Sequence, residues 1–156
     1  MHKICKILYF ADQKHLSEYG RSITGDTYIA MRYGPVPSYI DDLLKAVRGD
    51  SFFSSVKEIE PLKKLIVFEN RFIIRGLSDP DLNELSGTDI NCLNYAIELC
   101  KDKNFGQLTE MSHGLAWNNT RADREMSVKD ILREIGDDES YADYIADSLR
   151  THKAFM

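Results

Sequence analysis

The 156-residue chain has no apolar run approaching the roughly 18 to 20 residues that a membrane helix requires. Its apolar opening, "MHKICKILYFADQKHL", is interrupted by lysines, unlike a signal peptide. The sequence therefore reads as soluble and cytoplasmic, without a membrane partner. Cysteine is scarce, with three residues in odd number, so a disulfide framework is not expected. Cys92 and Cys100 would stand about 12 Å apart along a helix, too far to bridge. No CxxC clasp, HExxH motif or GxSxG elbow is present. The cysteines fall among Ile, Leu, Tyr and Ala, a setting for buried thiols rather than nucleophiles. No metal or small-molecule cofactor is implied. Internal repeats, low-complexity runs and linkers are lacking too, so one compact domain is expected over residues 1–156.

Basic charge is in deficit, and the net charge is −5. Between Ser127 and Asp147 stand seven acids and two bases, which carry the whole imbalance. An acidic extension over residues 120–156 repels nucleic acid and suits a basic partner or a solvated face. The best basic cluster is Lys63, Lys64, Arg71 and Arg75, too small to argue for phosphate recognition.

The residues that are present read as helices around a small sheet. Ile4, Ile7, Leu8, Ala11 and His15 recur at helical spacing, with Cys5, Tyr9 and Leu16 on a second face and Gly20 as a stop. "DTYIAMRY" alternates as a strand, and Gly34-Pro35-Val36-Pro37 is expected to end it as a stiff corner. Ser38 with Asp41 reads as a capping box for a helix closed by Gly49. Segments 64–68 and 71–75 predict a hairpin around Glu69-Asn70, able to pair with the strand at 27–33. Ser86 with Asp89 predicts a second capping box, before a helix with Leu93, Ala96, Ile97 and Cys100 on one face. Helices are expected from Gly106 to Ser112, then over about 127–135 and 139–152. The fold class is α+β, predominantly helical, with a small antiparallel sheet of about three strands.

Four stretches together, "KILYFAD", "ITGD", "YIAMRYGPVP" and "SHGLAW", resemble the Panacea domain, also called the SocA-like antitoxin family of bacterial and phage toxin–antitoxin systems. The resemblance covers roughly residues 3–118. It implies a mostly helical domain that neutralises a cognate toxin protein by direct contact. One branch of the family acts as an adaptor that hands its toxin to a protease, and a phage-encoded regulator is the related alternative.

The candidate partner-binding residues are Tyr28, Arg32, Tyr33, Pro35, Val36, Pro37, His113 and Trp117. Tyrosine, arginine and tryptophan combine large contact area with a polar handle, and the prolines would hold them in one geometry before a partner arrives. Asp26 and Gly34 are assigned to the corner itself, with Arg32 able to pair with Asp26. Closing the core is the competing role for Tyr33, Val36 and Trp117. A third functional reading is a hydrolase using His113 as general base, with Asp26 or Glu110 to orient it and Ser112 beside it. Against that stands a histidine bonded to backbone at a helix end.

Overall fold

The computed structural model describes residues 1–50 and 59–154, with side chains through Thr151; the His152 side chain lies outside the described ones. Eight helices and two separate two-stranded antiparallel sheets are found among the described residues.

Helix α1 (His2–Tyr19) is the central element. Its buried side chains, among them Cys5, Lys6, Tyr9, Phe10, Asp12, His15 and Leu16, cover more than one face, as its two apolar stripes predict. Gly20 ends it in the left-handed conformation, at φ 72°, and donates its N–H to the Leu16 carbonyl. The following loop is tied back onto α1 by one carboxylate. Asp12 accepts from the backbone N–H groups of Ile23 (2.6 Å) and Thr24 (3.0 Å), the Thr24 hydroxyl and the Tyr28 hydroxyl (2.8 Å). Four donors compensate a carboxylate removed from water.

The first correction concerns the segment after this loop. β1 (Tyr28–Met31) pairs with β2 (Gly34–Pro37), in the register Tyr28 with Pro37 through Met31 with Gly34. Gly34-Pro35-Val36-Pro37 is thus a strand, not the end of one, and Arg32-Tyr33 forms the tip of a tight hairpin. The prolines are tolerated because strand backbone groups alternate in direction. The Ser38 N–H bonds the Thr27 carbonyl at 2.9 Å, which fixes the even-numbered residues of β2 as ladder donors and turns Pro35 and Pro37 away from β1. The other edge of β1 is occupied by residues 123–126, through Asp123 N–H to Ala30 O, Ala30 N–H to Arg124 O and Met126 N–H to Tyr28 O.

The second correction is the cap of α2 (Ser38–Arg48). Its N-cap is Pro37, and no Ser38–Asp41 box forms. Asp26 caps it from outside instead, accepting from Thr27 (2.7 Å), Tyr39 (3.0 Å) and Ile40 (2.9 Å) N–H groups. A carboxylate also complements the positive end of the helix. Asp26 is thereby committed, and Arg32 lies over the ring of its neighbour Tyr33 at 5.2 Å rather than on Asp26.

α3 (Ile59–Lys63) leads into the hairpin of β3 (Ile66–Phe68) and β4 (Ile74–Gly76), which forms its own sheet and does not join β1. α4 (Gly87–Cys100) opens with the expected Ser86–Asp89 box, both bonds present, and packs along α1. Its buried row is Cys92, Ala96 and Cys100; Ile97 is exposed, contrary to the predicted face. α5 (Phe105–Ser112) begins with an Asn104–Gln107 box. α6 (Leu115–Asn118), α7 (Val128–Glu134) and α8 (Glu139–Ala154) complete the chain. The core runs through Tyr9, Phe10, Leu16, Tyr28, Leu108, Met126, Ile131, Leu132 and Ile145. Residues after 118 therefore share one core with those before it. All three cysteines are buried, and burial pushes the Cys5 thiol up to about 11.

One contact locks the later helices to the first. The Glu134 carboxylate on α7 accepts from Tyr9 OH (3.1 Å) and Gln13 Nε2 (3.0 Å) on α1, and from the Ala116 N–H (2.9 Å) at the start of α6. It occupies the space that a side chain at Gly114 would fill: a Cβ there would overlap the carboxylate, with Oε1 at 2.7 Å.

Candidate functional site

The sequence candidates gather around the β1–β2 hairpin, at different depths. Tyr28 is 5% exposed, with its hydroxyl on Asp12, and Pro35 and Pro37 are fully buried. Val36 is half-buried. These four build the stem. Arg32 and Tyr33 sit at the tip, Tyr33 with 48% of its surface exposed.

Around the tip lies an aromatic cluster that extends beyond the residues the sequence points to. The Tyr33 ring meets Phe105 edge-on at 5.2 Å, and His2 lies 4.1 Å from Phe105. His2 Nε2 is 3.3 Å from the Tyr33 carbonyl and 3.2 Å from Thr109 Oγ1. Phe105 and Met31 are exposed. Trp117 donates its indole N–H to the Met31 carbonyl at 2.9 Å, which fixes the other side of the hairpin. His113 stacks on Trp117 at 3.6 Å, nearly parallel. Phe105 and His2 could have been found only by knowing that α5 and the start of α1 flank the hairpin, a tertiary fact with no local signal.

Beneath the tip is a buried polar knot. Lys6 is completely buried on α1, and its ammonium donates to the Pro35 carbonyl at 2.8 Å. Burial lowers its pKa to about 8. Gly34 has φ 97°, and a Cβ there would overlap Ser112 Oγ and lie 2.9 Å from Lys6 Nζ. Only glycine meets both the left-handed backbone and the space. The Ser112 hydroxyl donates to the Thr109 carbonyl at 3.0 Å.

His113 follows α5 as its C-cap residue. Its Nε2 is buried without a hydrogen-bond partner, and its pKa is lowered, first by burial and then by the Lys6 charge. Asp26 caps α2 and Glu110 is exposed, so neither proposed orienting carboxylate bonds the imidazole. Among the described residues, Nε2 thus does not make the backbone hydrogen bond expected of this side chain.

Elsewhere, the basic hairpin is partly neutralised, Lys63 pairing with Glu60 at 3.2 Å and Arg75 with Glu69 at 2.6 Å. The acidic extension is laced internally: Lys129 bridges Glu139 (3.2 Å) and Asp143 (2.5 Å), and Arg133 reaches Glu139 at 2.5 Å. No cluster of three metal-ligating side chains, and no helix long and apolar enough to cross a membrane, occurs among the described residues.

No curated protein and no solved structure matches the chain. Residues 4–118 match the family model for the antitoxin SocA-like Panacea domain, and the chain belongs to that family.

Proposed function

We propose that this protein neutralises a cognate toxin by binding it directly, and that the hairpin tip is the contact. Family membership supports an antitoxin with a toxin partner. The observation that carries the surface assignment is the exposed cluster of Tyr33, Phe105 and Arg32 on a tightly fixed stem. Large aromatic and arginine side chains are the usual energetic anchors of interfaces. Here they stand on backbone held by the Lys6–Pro35 and Trp117–Met31 bonds, so little ordering cost remains for association.

The test is co-expression with the product of the adjacent reading frame. Relief of growth arrest and recovery of a stoichiometric complex are expected. Rescue with no complex at micromolar concentration refutes direct sequestration. Rescue that requires a cellular protease assigns the adaptor role instead, and rescue far below stoichiometric amounts assigns catalysis.

A further inference from the structure

A cavity of about 580 Å³ is lined by none of the residues of the polar knot. One wall comes from residues 16–28, inside the family match, and the other from residues 125–150, beyond it. The floor is apolar, formed by Leu16, Tyr28, Met126, Val128, Ile131 and Leu149. The Tyr28 hydroxyl is bound to Asp12, leaving its ring to line the space. A volume of this size, apolar with a few polar groups at its mouth, is typical of small-ligand sites. Gly25 at the rim has φ 66°, and a Cβ there would meet nothing within 4 Å, so the space continues outward past it.

The mouth is acidic. The Asp26 carboxylate stands there, capping α2, and Glu125 is exposed, with no side-chain hydrogen bond or ion pair among the described residues. The one base, Arg150, is matched by Asp147 at 3.3 Å. Carboxylates at the end of an apolar slot favour a ligand with an apolar body and a positive head.

We propose that this cavity binds an aliphatic chain ending in an ammonium or guanidinium group, its body against Met126, Ile131 and Leu149 and its head beside Glu125 and Asp26. Two sources share this chemistry: a free amphiphilic amine, or a leucine followed by lysine in another polypeptide. The site is separate from the hairpin tip and does not depend on the tip's role.

The test is methyl-detected NMR of the full chain, titrated with n-octylammonium, n-octanoate and the blocked peptide acetyl-Leu-Leu-Lys-amide. Saturable shifts at Met126, Val128, Ile131 and Leu149 are expected with octylammonium, and binding of octanoate should be at least tenfold weaker. Glu125→Gln should weaken octylammonium about two- to fivefold, the range of an exposed charge pair. Ala146→Leu, which fills the cavity from α8, should abolish the shifts without lowering the melting temperature. Binding of the peptide but not the amine assigns the polypeptide source, and the reverse assigns the free amine. Shifts scattered over the surface, equal affinity for octanoate, indifference to Ala146→Leu, or no binding by either cation would overturn the proposal.

Discussion

Replacing Gly114 by alanine should act entirely through a residue twenty positions away. A methyl group at Gly114 would occupy the place of the Glu134 carboxylate, whereas its own backbone, at φ −80°, tolerates any side chain. The carboxylate must then withdraw, losing its bonds from Tyr9, Gln13 and the Ala116 N–H. Hydrogen bonds to a charged group contribute about 1.5 to 3 kcal/mol each when well buried. Glu134 is half-buried, so about 1 kcal/mol each, or about 3 kcal/mol in all, is the appropriate scale. Glu134→Ala should cost a similar amount, because Tyr9 is fully buried and its hydroxyl would be left without that acceptor. In a chain of this length, about 3 kcal/mol lowers the melting temperature by about 6 to 12 °C. The decisive quantity is the coupling. In the Glu134→Ala background there is no carboxylate to displace, so Gly114→Ala should be nearly neutral and the double variant should match Glu134→Ala alone. Urea denaturation of the four proteins measures this cycle. Additive losses, with a coupling below about 0.5 kcal/mol, would refute the interlock.

Four further outcomes are expected. Gly34→Ala should cost more than about 3 kcal/mol, because it combines left-handed strain with collision against Ser112 and Lys6, and Ser112→Gly should recover only part of the loss by thermal melting. Lys6 is lowered from 10.5 to about 8 in the fold, so between those values the unfolded chain holds the extra proton and stability rises with pH; Cys5, raised from 9.0 to about 11, opposes this above pH 9. Urea midpoints should therefore show wild type gaining about 1 kcal/mol relative to Lys6→Met between pH 8 and 9, and equal pH slopes would contradict the buried ammonium. The lowered pKa of His113 works in the same sense at acid pH: stability is lost as pH falls below 6.5, and His113→Phe should reduce that loss. At the tip, Arg32→Ala should weaken toxin affinity by about 1 to 3 kcal/mol with little change in melting temperature; an affinity loss accounted for by unfolding would remove the tip as the contact.

Local signals in the sequence carried the helices well. Gly20 and Gly49 both sit in the left-handed conformation that ends α1 and α2, and the Ser86–Asp89 box forms with both of its bonds. These are legible because each depends on residues within one turn of the helix. The misreadings share the opposite property. Proline in sequence predicts the end of a strand, yet its effect depends on which way the missing N–H would have pointed, and register against β1 decides that. The cap of α2 comes from Asp26, twelve residues before the helix starts, so a plausible local box at Ser38 was redundant. For the candidate site, motif reading located the hairpin but not the depth of its residues. Tyr28 and Tyr33 look alike in sequence, and only the hairpin separates the one in its stem, bound to Asp12, from the one at its tip, facing solvent. Phe105, His2 and Lys6 reach the hairpin through α1 and α5 packing, which no short window encodes.

The alternation of prolines in β2 has a consequence for what kind of recognition can evolve here. An extended chain laid alongside β2 would find no amide donor at Pro35 or Pro37 and would find the Pro35 carbonyl already held by Lys6, while the far side of β1 is closed by residues 123–126. The ribbon therefore offers no template for strand addition, either by a partner or by another copy during crowding and misfolding. Whatever docks at the tip must be read through side chains, whose identities at Arg32, Tyr33 and Phe105 can change singly without rebuilding the backbone beneath them. If the tip is the toxin contact proposed above, such a scaffold can follow a changing toxin by point substitution there while its stem stays the same.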